Sequence, residues 1–141
     1  MQGVWQAVRM TLTPDNKMLP IPVKLSILIA TLPFLTNLMC ENSRGNLTEK
    51  FRRGIKIACT VAGYSVCSEI QSAVGEVRTS DACGMIQKII SMGSSLPPRQ
   101  RVDWYAIIAA AAASCLSRPE DFALLIMGVD EVDVGPEDLE R

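Results

Sequence analysis

The basic residues Lys50, Arg52, Arg53 and Lys56 stand within the short stretch "KFRRGIK", and Arg44 precedes them. Side chains of this type attract phosphate groups electrostatically. Each Lys or Arg near an anionic bilayer contributes about 1 kcal/mol, and on nucleic acid the same residues give salt-sensitive, sequence-independent binding. The stretch therefore predicts either a binding surface for a phosphate-rich partner or a solvated helix face that binds nothing.

A single amphipathic helix is predicted to position these charges. Asn46 is the expected N-cap, and Glu49 stands three residues later in capping-box position. Apolar residues then recur at helical spacing and define an inward face. We expect Lys50, Arg52, Arg53 and Lys56 to lie on the opposite, exposed half. The inward-facing residues are Leu47, Phe51, Ile55, Ala58 and Ala62.

Catalytic chemistry is not indicated by the sequence. The chain has no histidine, which excludes Ser-His-Asp and Cys-His mechanisms. No paired carboxylates or activated nucleophile can be proposed. We therefore predict a non-enzymatic protein with no cofactor, no metal ion and no small-molecule substrate.

The five cysteines are odd in number, and no two have the CxxC spacing typical of zinc sites. We interpret them as reduced, buried, small apolar residues. This interpretation predicts an intracellular location or, for a viral protein, the layer beneath the envelope and the host cell interior. The cysteines are Cys40, Cys59, Cys67, Cys83 and Cys115.

The charge is distributed unevenly along the chain. Residues 1–118 contain 13 Lys and Arg against 7 Asp and Glu, a net +6, whereas residues 119–141 contain 1 against 8, a net −7. A basic body suits phosphate-rich partners such as lipid headgroups or nucleic acid. We predict a helical domain over 1–128 and, over 129–141, an acidic tail or the start of a linker. The alternative is that the uneven distribution of charge along the chain has no functional meaning.

The pattern along the chain predicts an all-α fold, a compact bundle of about five to seven helices in a single domain. Helices are predicted over 23–39, 47–62 and 99–116, with a further helix that resumes after Gly63. Pro33 must kink or split the first of them. Another helix is expected to be capped by Thr79 or Ser80 and to end at Gly93. A short helix near the N-terminus and a last helix over "RPEDFALLIMG" are also expected. The apolar runs fall short of the ~20 residues of a spanning helix, so we expect no segment to cross a membrane.

The order of three segments resembles the N-terminal helical domain of orthomyxovirus matrix proteins. The segments are "PVKLSILIATLPFLT", "SRGNLTEKFRRGIKIA" and "AAAASCL". The resemblance implies an all-helical domain that self-associates beneath a viral envelope and binds anionic lipid and the viral ribonucleoprotein. By residue match the basic role belongs to Arg52 and Arg53, with Lys50, Lys56 and Arg44 nearby. The chain lacks the family's long run of Arg and Lys, and its acidic end has no counterpart there.

Three functions stay open at this point. The first is a structural, matrix-like protein that forms a homo-oligomer and contacts an anionic lipid surface or ribonucleoprotein. The second is a protein-interaction or regulatory adaptor domain, with a groove lined by the helices over 25–39 and 105–116. The third is a sequence-independent RNA-binding protein.

Overall fold

The computed structural model of the chain describes residues 20–41, 46–62, 65–78 and 81–116. These residues form α1 (Ile21–Glu41), α2 (Leu47–Ala62), α3 (Cys67–Glu76), α4 (Ala82–Met92), a 3₁₀ turn (Gly93–Ser95) and α5 (Pro98–Leu116). The all-α prediction is confirmed, with no strand in these ranges. The predicted first and last helices, and the acidic segment 129–141, lie outside the described residues.

The central element of the bundle is α5, against which α1 and α2 both pack extensively. Every residue from Trp104 to Ala113 is buried. A helix that is apolar on all sides belongs in the core, where neighbours cover it all round. Its run of alanines also lets neighbouring helices approach closely.

The closest approach to α5 is made by α2 at Gly54. A Cβ atom placed on Gly54 would lie 2.8 Å from Oγ of Ser114, 3.0 Å from Cα of Ala111 and 3.1 Å from its Cβ. Glycine therefore stands where the two helices leave no room for a side chain. On the same side of α2, Leu47, Phe51, Ile55 and Ala58 are buried as predicted.

The long helix α1 continues through Pro33 as one element, so of the two predicted effects of this residue, a kink or a split, the split does not occur. Proline removes the N–H that would bond to the carbonyl of residue i−4, here Ile29. Ile29 and Pro33 are both exposed. Leu28, Leu32 and Leu35 on the opposite face are buried, and we attribute the continuity of the helix to this packing on both sides of the proline.

The N-cap of α4 is Asp81, whose side chain accepts a hydrogen bond from the backbone N–H of Cys83 at 3.0 Å. The prediction of Thr79 or Ser80 as the cap is therefore wrong. Aspartate is an equally good capping residue, and α4 begins at Ala82, later than the sequence pattern suggests. Its predicted end at Gly93 is confirmed.

A disulfide bond joins Cys40, near the end of α1, to Cys83, in the first turn of α4, with a Cα–Cα distance of 4.6 Å. The prediction that all cysteines are reduced is wrong, and the intracellular location inferred from it loses its basis. The two residues are 43 positions apart, and the packing of α1 against α4 brings them together. Spacing along the sequence carries no signal of this contact. Cys59, Cys67 and Cys115 are free.

Candidate functional site

Three of the predicted basic residues form the exposed side of α2. Lys50, Arg53 and Lys56 follow one another at three-residue spacing and are all exposed. At 100° per residue they span an arc of about 120°, opposite the buried face. We call these three residues the cationic face. Glu49 also lies on this side of α2 and is the one acidic residue within the helix.

An apolar side chain lies within the cationic face. Ile57 is 41% exposed, and its helical position falls between those of Lys50 and Arg53. An exposed isoleucine on the same side of a helix as these cations adds an apolar contact to the charge attraction. Sequence reasoning missed Ile57, although its seven-residue spacing from Lys50 places both on one face.

Arg52 does not belong to the cationic face. Its side chain is half-buried, and its Nη2 donates a hydrogen bond to the backbone carbonyl of Val77 at 3.2 Å. Its Nε atom is buried without a partner. The prediction that Arg52 lies on the exposed half of the helix is therefore wrong, because its guanidinium links α2 to the residue that follows α3. Arg44 lies outside the described residues.

Lys50 stands at the end of α2 that faces the C-terminal turn of α5. Burial raises the pKa of the Cys115 thiol to about 11, and the hydrogen bond with Ser114 and the positive charge of Lys50 oppose this shift. Burial also raises the pKa of the Cys59 thiol, and Cys67 adds to the shift. Neutral thiols are poor nucleophiles, so neither residue has the environment of a reactive cysteine.

The aromatic pair at the start of α5, Trp104 and Tyr105, has a structural role. Trp104 and Tyr105 are buried, and Nε1 of Trp104 donates to the carbonyl of Ile89 at 2.8 Å. Burial raises the pKa of the neighbouring Asp103, while Arg99 and Lys24 lower it. In the described part of the chain, no group of three His, Cys, Asp or Glu residues could hold a metal ion.

A second exposed surface lies on α1 and is apolar. Val23, Ile29 and Phe34 are 41%, 54% and 44% exposed. By length and composition alone, α1 is the one described helix that could span a membrane, with a mean hydropathy of 1.7 over its most apolar window and 33% of that window buried. The apolar stretch is longer than the sequence suggests, because Ile21 and Pro22 already belong to the helix.

Comparison with known proteins gives no further guide to the site. No family model, no curated protein and no solved structure matches this chain. The resemblance to orthomyxovirus matrix proteins therefore rests on its short segments alone.

Proposed function

We propose that the protein is a non-enzymatic structural protein that self-associates and binds an anionic lipid surface through the cationic face of α2. One observation carries this proposal: three exposed cations on one face of a single helix, with exposed Ile57 among them. The net charge of +6 over residues 1–118 adds long-range attraction. The resemblance to matrix proteins assigns the basic role to Arg52 and Arg53 of the same helix. Arg53 belongs to the cationic face, whereas Arg52 does not.

The magnitude of the attraction explains why self-association belongs to the proposal. Three cations at about 1 kcal/mol each, partly offset by Glu49 on the same side of α2, supply at most about 3 kcal/mol, which corresponds to a weak enrichment at the membrane of at most roughly a hundredfold. The contribution fades within about 8 Å of the surface at physiological salt. Several linked copies multiply the effect, so an oligomer binds a surface that a single copy does not hold.

The test is co-sedimentation with vesicles of phosphatidylcholine containing phosphatidylserine, over a salt series. We expect saturable binding that falls steeply with salt. The variant Lys50→Glu/Arg53→Glu/Lys56→Glu should lose it.

A matched control separates the cationic face from overall charge. Arg78, Lys88 and Arg99 are exposed cations on other parts of the molecule. The variant Arg78→Glu/Lys88→Glu/Arg99→Glu has the same net charge as the first triple variant. We expect it to bind more strongly than the α2 variant, and equal loss in both would remove the assignment to α2.

RNA is the alternative ligand for the same cations. Fluorescence anisotropy with a short labelled RNA, at the same salt concentrations, distinguishes the two. RNA binding without vesicle binding would favour the sequence-independent RNA-binding alternative. Sedimentation velocity over a range of concentrations tests self-association, and a monomer at all concentrations would contradict that part of the proposal.

A further inference from the structure

Two of the free cysteines lie in contact where α2 ends and α3 begins. Cys59 belongs to the last turn of α2, and Cys67 is the first residue of α3. The thiol of Cys67 donates a hydrogen bond to the backbone carbonyl of Cys59 at 3.6 Å, and the two side chains also contact each other. Two thiols in contact are the arrangement from which a disulfide bond forms when an oxidant is present.

The two thiols differ in their access to solvent. Cys59 is only 4% exposed, whereas Cys67 is half-buried and can be reached from solution. A dissolved reagent therefore meets Cys67 first, and Cys59 reacts only with a group that is already attached to Cys67. A reachable thiol beside an enclosed one is the usual arrangement of an attacking and a resolving cysteine in a redox-sensitive protein.

A third side chain supports the enclosed thiol. Gln71, about one helical turn after Cys67 on α3, hydrogen-bonds to Cys59. Burial raises the pKa of the Cys59 thiol and Cys67 adds to the shift, while the hydrogen bond with Gln71 lowers the pKa. The side-chain amide of Gln71 therefore favours the thiolate that a resolving cysteine has to form.

The other end of α3 is already attached to α2. Nη2 of Arg52 on α2 donates to the carbonyl of Val77, the residue that follows α3, at 3.2 Å. The contact between Cys59 and Cys67 holds the first turn of α3 against the same helix. A covalent bond at this contact would fix α3 to α2 at both ends without any change of fold.

We infer that Cys59 and Cys67 are a redox modification site, at which exchange with a small disulfide such as oxidised glutathione forms a second, reversible disulfide bond. The Cys67 thiolate attacks one sulfur of oxidised glutathione, whose disulfide bond breaks and releases one glutathione. The Cys59 thiolate then attacks the Cys67 sulfur and releases the second glutathione. The two protons of the cysteine thiols end on the two released glutathiones, so one dithiol is oxidised and one glutathione disulfide is reduced.

The test equilibrates the protein in buffers with a series of ratios of reduced to oxidised glutathione. Acid stops the exchange, N-ethylmaleimide labels the remaining thiols in urea, and mass spectrometry follows the tryptic peptides. Trypsin cleaves after Lys56 and Arg78, so the peptide 57–78 contains Cys59 and Cys67 and no other cysteine. With increasing oxidised glutathione we expect this peptide to lose both labels together, to retain no glutathione, and to regain both labels after reduction.

Three comparisons make the result specific to the pair. Cys115 is half-buried as well, but its thiol hydrogen-bonds to Ser114, so glutathione bound to Cys115 should stay in place. In the variant Cys59→Ser, glutathione should likewise stay on Cys67, because the resolving thiol is missing. The variant Gln71→Leu should slow the loss of glutathione from Cys67 about 3- to 10-fold, as expected for one hydrogen bond.

A synthetic peptide of residues 57–78 serves as the reference without the fold. The protein should form the bond at a ratio of oxidised to reduced glutathione at least about tenfold lower than the peptide requires, because the fold holds the two thiols together. Equal ratios for the protein and the peptide would overturn the inference. So would glutathione that stays on Cys67 while Cys59 is present, or full labelling of both cysteines under conditions in which Cys115 carries glutathione.

Discussion

Replacing Gly54 by alanine tests the packing of α2 on α5 with a single added methyl group. The new Cβ would lie 2.8 Å from Oγ of Ser114, 3.0 Å from Cα of Ala111 and 3.1 Å from Cβ of Ala111. The first contact involves a hydroxyl that can rotate away. The second involves backbone, which moves only if the helices separate. We therefore expect Gly54→Ala to force the two helices apart.

The size of the effect follows from two opposing contributions. Alanine stabilises a helix interior by about 1 kcal/mol relative to glycine. Overpacking a filled core costs about 1–3 kcal/mol. The net change at Gly54 is then a loss of up to about 2 kcal/mol in the free energy of unfolding. Gly75, at an exposed site of α3 with no atom within 4 Å of an added Cβ, receives the helix contribution alone.

Urea denaturation followed by circular dichroism measures both variants. Gly75→Ala should be more stable than the unaltered protein by roughly 0.5–1 kcal/mol, and Gly54→Ala should lie about 1–3 kcal/mol below Gly75→Ala. In the Gly54→Ala background, Ser114→Ala should restore part of the loss, because it removes the 2.8 Å contact and leaves the backbone contact. If Gly54→Ala equals Gly75→Ala in stability, the close approach of α2 and α5 is refuted.

Three further predictions concern other parts of the molecule. Cys40→Ser/Cys83→Ser should lower the free energy of unfolding by about 4 kcal/mol, as loop closure over 43 residues predicts, measured by urea denaturation without reductant; no change would refute the disulfide. Pro33→Ala should stabilise the protein by about 1–3 kcal/mol, because it supplies a donor to the carbonyl of Ile29, and thermal denaturation checks this. Burial raises the pKa of Cys115 from near 9 to about 11, so the folded state holds a proton that the unfolded state loses. The stability advantage of the unaltered protein over Cys115→Ala should therefore be constant below pH 9 and fall between pH 9 and 11.

The course of the helices is largely predictable from local sequence. Helical spacing and the glycines at 63 and 93 give the positions of α2, α4 and α5 within a few residues, because these signals act within one helical turn. The N-cap at Asp81 was missed because Thr79, Ser80 and Asp81 are all good capping residues. The continuity of α1 through Pro33 depends on the burial of its leucines against other helices, which no local pattern reveals.

The candidate site was predicted in part, for similar reasons. Helical geometry alone places Lys50, Arg53 and Lys56 on one face. Arg52 was misplaced because its partner, the carbonyl of Val77, is 25 residues away along the chain.

The disulfide between Cys40 and Cys83 has a mechanical consequence for the chain. Tension applied along the chain from either side passes through the two sulfur atoms and bypasses the residues between them. The whole of α2 and α3 is enclosed in this covalent ring. When the unfolded chain is pulled to full extension, its length should therefore be about 150 Å shorter with the bond intact than after the bond is reduced. The cationic face would then sit on a segment that bears no load while the bond is intact.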